Sequence, residues 1–142
     1  MQNEETMSNK AKNSKDSILV DTKELLVIYD QNVMTIPKAR RESGALRHFE
    51  EAGYQIIDHY TIAKEMTAES EREERRRHVD AIIGAFGRML AAFEIMMRMK
   101  AVTQTKPTEG MGLFSDSTKL AMARCLDRIE EGCRKWRNSM RS

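Results

Sequence analysis

Ile18-Leu19-Val20-Asp21-Thr22-Lys23-Glu24-Leu25-Leu26-Val27-Ile28-Tyr29 is the stretch on which the fold turns, because it reads in two ways. As a strand, Leu25 to Tyr29 has the β-branched and aromatic content, and the length, of a half-buried sheet element. As a helix, Asp21 and Glu24 stand at capping-box spacing, an acceptor at the cap with a carboxylate three residues on. The dense run of branched residues favours the strand.

The residues that follow extend that reading. Thr35-Ile36-Pro37 opens a helix, with Thr35 as the cap and Pro37 in the first turn, where a missing N–H costs nothing. Ala39, Leu46, Phe49 and Ala52 give it a one-sided apolar stripe, and Gly53 closes it. Tyr54-Gln55-Ile56-Ile57-Asp58-His59-Tyr60 then reads as a second strand. Strand, helix, glycine, strand is the order of a crossover unit whose strands run parallel. Two parallel strands make too small a sheet, so Ile18 to Val20 or a second subunit is needed to complete it.

The C-terminal half is plainer. Ser70 to Ala101 and Ser117 to Met140 read as two amphipathic helices packed together or against another subunit. In the first, Val79, Ile82, Phe86, Met89, Phe93 and Met96 recur at steps of three and four. Ile83, Leu90 and Met97 widen the stripe, and small residues fill much of the remaining surface. In the second, Met122, Leu126, Ile129, Cys133, Trp136 and Met140 step the same way and form a candidate interface. Pro107, Gly110 and Gly112 break the periodicity between the two helices and let the chain reverse. The expected fold is therefore α+β and mostly helical, a strand–helix–strand unit over 18–62 followed by a helical hairpin over 70–140. An all-α bundle is the alternative. Met1 to Ser17 reads as a mobile polar tail, and residues 18–142 as a single domain.

Composition narrows the functional classes. Leu, Ile, Val and Phe number 27 of 142 residues, and eleven methionines make up part of the deficit. Methionine fills irregular cores and also suits surfaces that accept a partner's side chains. A net charge of +2 provides no strong field for nucleic acid or membrane, so any such binding must be local. The first 17 residues contain no apolar signal segment, and Ala81 to Met97, interrupted by Arg88 and Glu94, is too short to span a bilayer. Cys125 and Cys133 stand eight residues apart on one expected helix, about 12 Å along its axis, too far for a bridge. A reducing, cytoplasmic location is the simplest expectation.

Charge clusters supply the binding candidates. Glu69 to His78 reads as a self-paired helix start, with Glu71–Arg75, Glu73–Arg77 and Glu74–His78 each acid-first at four residues. Near the C-terminus Glu130 can pair with Arg134 and Glu131 with Lys135. Arg124, Arg128, Arg137 and Arg141 then remain as a modestly basic face. Lys38, Arg40 and Arg41 lie at a helix start, where positive charge opposes the dipole and invites an anion. These seven residues are the candidate nucleic-acid contacts. Asp30 and Asp58, at the expected strand ends, are the candidate metal ligands of an alternative, a small metal-dependent enzyme. No dinucleotide, phosphate-loop or zinc spacing occurs, and no cofactor is implied.

Ile28-Tyr29-Asp30, Ala45-Leu46 and Glu51-Ala52-Gly53-Tyr54 loosely resemble the opening of serine recombinase catalytic domains over a short part of the chain. Where that resemblance implies an arginine and then a nucleophilic serine after the first strand, this chain has Asp30, Gln31, Asn32 and Val33. It carries no activity over. The reading is a non-catalytic regulatory or adaptor protein, a homodimer that acts through protein contacts and, as a further option, DNA.

Overall fold

The computed structural model describes residues 17–34, 36–42, 44–103 and 106–141, the last two with backbone alone over 100–111 and 140–141. Four long helices form the body: α1 (Ser17–Val33), α3 (Gly44–Glu65), α4 (Arg72–Arg98) and α5 (Asp116–Arg141). A short helix, α2 (Lys38–Arg41), links α1 to α3, and a 3-10 turn at Glu69–Glu71 leads into α4. Between α4 and α5 lies a two-stranded antiparallel hairpin, β1 (Lys100–Thr103) with β2 (Lys106–Gly112).

The strand–helix–strand unit is thus overturned, and the all-α bundle describes the protein. Both stretches read as strands are helical, and burial shows why. A strand would turn Leu25, Val27 and Tyr29 to one face. Here Leu25 and Tyr29 are buried while Val27 is 53% exposed. The buried positions Ile18, Thr22, Leu25, Tyr29 and Val33 step by four, three, four and four, which is one face of a helix. Asp21, expected as a cap, is a wholly buried residue inside α1.

Gly53 does not end a helix either. It sits within α3, where a Cβ would approach Leu26 Cδ2 to 2.8 Å and Met89 Cε to 3.0 Å, so its small size lets α1 and α4 come close. The break falls instead near Gly44, whose φ of +65° is a conformation that glycine adopts without steric cost. Beyond Gly53, Ile56, Tyr60 and Ala63 continue the buried face of Leu46, Phe49 and Ala52 through the segment read as the second strand.

Side-chain contacts give the topology. Tyr29 meets Phe49 with ring centroids 5.1 Å apart, and its hydroxyl donates to the Leu46 carbonyl at 3.2 Å, so α1 and α3 run antiparallel. Gln55 accepts from Arg88 at 2.7 Å, and His59 meets His78, so α3 and α4 are antiparallel as well. Asn32 lies beside Thr118 and Asp21 beside Arg128, which sets α5 antiparallel to α1. The result is an up-down-up-down bundle in which each long helix packs on its two neighbours. The helical hairpin over 70–140 is present as α4 and α5, but α5 packs more extensively on α1 than on α4.

Methionines 89, 96 and 122 are among the largest fully buried side chains, so they serve as core filler here. Burying each such apolar side chain stabilises the fold by roughly 1.5–3 kcal/mol. Among the described residues no helix is long and apolar enough to cross a membrane. The expected tail lies outside the described residues except for Ser17, which is buried at the start of α1.

Candidate functional site

The close approach of α1 and α3 leaves a groove along their outer edge. Its apolar stretch is lined by Leu26, Val27, Tyr54 and Ile57, with Lys23, Asp30 and Gln31 at the rim. Leu26 is buried beneath it, Ile57 is half-buried, and Val27 and Tyr54 are each 53% exposed. Asp30 and Tyr54 also line the continuation of the groove past α2, a concavity of about 830 Å³. That part is charged. Five carboxylates, Asp30, Glu42, Glu50, Glu51 and Asp58, stand against three cations, Lys38, Arg41 and Arg47.

Two of those cations are held locally. Lys38 pairs with Glu42 at 3.7 Å and Arg47 with Glu51 at 2.9 Å, both exposed and one helical turn apart. Arg41 is half-buried, and its Nε is buried with no hydrogen-bond partner among the described residues. The surroundings of Lys38 and Arg41 are therefore acidic on balance, which opposes a phosphate and suits a cationic group. Arg40, half-buried on α2, does not line this concavity.

The remaining basic candidates do not converge. Arg128 is drawn inward, its Nε 2.7 Å from Asp21 Oδ1 and its Nη2 3.6 Å from Glu24 Oε2. Arg124 and Arg137 are exposed, but thirteen residues at 3.6 per turn place them on different flanks of α5, about 20 Å apart along the axis. The side chain of Arg141 lies outside the described residues. Glu131 takes both local cations, Arg134 at 2.8 Å and Lys135 at 3.9 Å, in place of the Glu130–Arg134 pairing expected from spacing. At the start of α4, Arg75 donates to the Met66 carbonyl and Glu71 accepts from the Ala68 N–H, so the expected Glu71–Arg75 pair does not form.

The stripe expected as an interface is interior to the chain. Met122, Leu126, Ile129, Cys133 and Trp136 are buried, with Trp136 edge-on to Tyr60 of α3 at 5.4 Å. The Met140 side chain lies outside the described residues. Burial pushes the Cys125 thiol up to about 11 and the Cys133 thiol up to about 12, which keeps both protonated and unreactive near neutrality.

Asp30 and Asp58, expected at strand ends, stand on the helices α1 and α3 and share the groove wall. Among the described residues no group of three or more His, Cys, Asp or Glu side chains is arranged to hold a metal ion. One pairing escaped the sequence reading: His59 and His78 bring their Nδ1 atoms within 2.9 Å across α3 and α4. With ring centroids 5.2 Å apart, the two nitrogens face each other between the rings, the geometry of an N–H···N hydrogen bond. Nineteen residues separate them, so no spacing within one helix signals the pair. Compared with known proteins, the chain matches no family model, no curated protein and no solved structure.

Proposed function

We propose that this chain is a non-catalytic regulatory or adaptor protein that works as a homo-oligomer, and that its α1–α3 groove receives a protein segment carrying an apolar anchor beside basic residues. The observation that supports this reading is the coupling of two exposed side chains to an acidic neighbourhood. Val27 and Tyr54, each 53% exposed, frame half-buried Ile57, and the groove continues into five carboxylates against three cations. Exposed tyrosine beside aliphatic surface is the composition of a contact site, since one end of the ring packs while the hydroxyl stays hydrated. The excess of carboxylates selects for positive charge on the partner and against a phosphate backbone.

A photo-crosslinking residue at Val27 of the full chain tests it, with the captured protein purified and its affinity measured directly. Tyr54→Ala is expected to weaken that affinity by about tenfold or more, the loss of a contact near the centre of an interface. Duplex DNA titrated in parallel at low and moderate salt is expected to bind weakly. A partner whose affinity ignores Tyr54→Ala, or salt-sensitive DNA binding that exceeds the protein affinity, would overturn the assignment.

A further inference from the structure

Positions 73, 77, 80, 84, 87, 91, 94 and 98 of α4 step by four and three without interruption, and all of them are exposed. That is a heptad seam on the outward side of the helix, separate from the stripe buried in the bundle. Its chemistry is symmetric about the point midway between Ala85 and Phe86. Glu73 at one end mirrors Arg98 at the other, Arg77 mirrors Glu94, and Gly84 mirrors Gly87. The pair between them, Asp80 and Ala91, sets a carboxylate opposite a methyl group.

Among the described residues, nothing packs closely against the two central glycines. A Cβ on Gly87 would meet nothing within 4 Å, and one on Gly84 only the end of Arg88 at 3.6 Å. Gly53 and Gly132 differ, because a Cβ there would come within 2.8 and 2.7 Å of neighbouring side chains. Glycine is a poor helix former, so two of them mid-helix on an open face are unfavourable for the isolated chain. They do allow another backbone to approach closely. The five charged residues of the seam also make no ion pair among the described residues, although Glu73 and Arg77 are one turn apart.

We infer that this face of α4 is a homodimer surface on which a second copy of the chain docks antiparallel. A twofold axis near residues 85 and 86 places Glu73 against Arg98 and Arg77 against Glu94, each twice. It also crosses the helices where the glycines let them approach. A parallel arrangement would oppose like charges at every one of those positions, so the pattern selects one direction. The inference rests on the homo-oligomeric part of the proposed function and is independent of the α1–α3 groove.

Light scattering of the full chain across the micromolar range tests it. The unaltered chain is expected to be a dimer, with association weakened by about tenfold or more in Arg77→Glu, because symmetry places the like-charge contact twice. The double variant Arg77→Glu with Glu94→Arg is expected to restore the dimer. Gly84→Gln with Gly87→Gln is expected to give a monomer with a raised Tm, which shows that the fold is intact. A chain that is monomeric throughout the range, or a dimer unmoved by Arg77→Glu and by the glycine replacements, would overturn the inference. A charge swap that fails to restore association would also overturn it. An unaltered chain that is monomeric throughout the range but keeps Val27-directed partner binding removes only this surface, whereas a dimer that behaves as expected but captures no partner at Val27 removes only the groove.

Discussion

Asp21 Oδ1 accepts a 2.7 Å hydrogen bond from Arg128 Nε, and the Asp21 side chain is wholly excluded from solvent. This contact joins the second turn of α1 to the middle of α5. Arg128 also donates toward Cys125 Sγ at 3.4 Å, so one guanidinium spans three polar groups at the helix interface.

Removing the cation strands the carboxylate. Arg128→Met is expected to destabilise the fold by about 2–3 kcal/mol, below the usual cost of breaking a buried pair because the arginine side chain is 40% exposed. Asp21→Leu combined with Arg128→Met is expected to recover most of that loss, since matched apolar replacement of a buried pair is often neutral. Urea unfolding of the three chains measures both effects. A double variant no better than the single one would mean that the pair itself, and not the stranded charge, carries the stability.

The glycines of α3 separate two causes. Gly44→Ala meets no atoms but must adopt a φ of +65°, and it is expected to cost about 1 kcal/mol. Gly53→Leu keeps an ordinary helical backbone but drives a side chain into Leu26 and Met89, and it is expected to cost about 1–3 kcal/mol or more from overpacking. Thermal melts of both variants decide the matter. A neutral Gly53→Leu would deny that α1, α3 and α4 meet closely there.

How much of this was legible follows from the same residues. The hairpin helices were readable because Val79 to Met96 and Met122 to Trp136 hold their period over many turns. The first half misled because Leu25-Leu26-Val27-Ile28-Tyr29 is apolar at every position, so no period shows until burial separates Val27 from its neighbours. Gly53 looked like punctuation because sequence cannot distinguish a glycine needed for φ from one needed for space. The groove was hidden for a related reason. Val27 and Tyr54 both fall in stretches whose local sequence reads as strand, and it is the α1–α3 packing that brings them to one edge. Asp21 and Arg128 are 107 residues apart, and nothing local announces a partner at that distance.

The His59–His78 contact predicts a specific proton arrangement. With Nδ1 facing Nδ1 at 2.9 Å, one ring must carry its proton on Nδ1 and the other on Nε2. Nitrogen-15 correlation spectra at neutral pH are expected to show one ring of each tautomer. Two Nε2–H rings would place lone pair against lone pair and rule out the hydrogen bond. His78→Phe, which leaves the His59 nitrogen without its partner in a half-buried setting, is expected to cost about 1 kcal/mol.

Burial of Cys133 links stability to alkaline pH. Its thiol is pushed from the ordinary value of 9.0 up to about 12, mainly by burial and then by Glu130, with Arg137 opposing. The folded state holds the proton that the unfolded state releases. The contribution of this thiol to stability is therefore complete below pH 9.0 and is lost as pH rises toward about 12. Cys133→Ala is expected to flatten that decline while leaving part of it, because Cys125 is raised to about 11 by the same cause. Urea midpoints at about pH 8 and about pH 10 measure the slope, and an unchanged slope in the variant would remove Cys133 from the account.

Trp136 decides whether the α5 stripe is core or interface. Its ring lies edge-on to Tyr60 at 5.4 Å with both residues buried inside one chain, across the diagonal of the bundle. Trp136 is the sole tryptophan, so its emission reports this site alone. Emission is expected to be blue-shifted, weakly quenched by acrylamide, and independent of protein concentration even where the α4 dimer dissociates. Trp136→Ala is expected to cost about 3–5 kcal/mol, the range for emptying a large aromatic site. Emission that moves to the red on dilution while the chain remains folded would show that a partner subunit covers the ring, and the interior assignment of the stripe would fail.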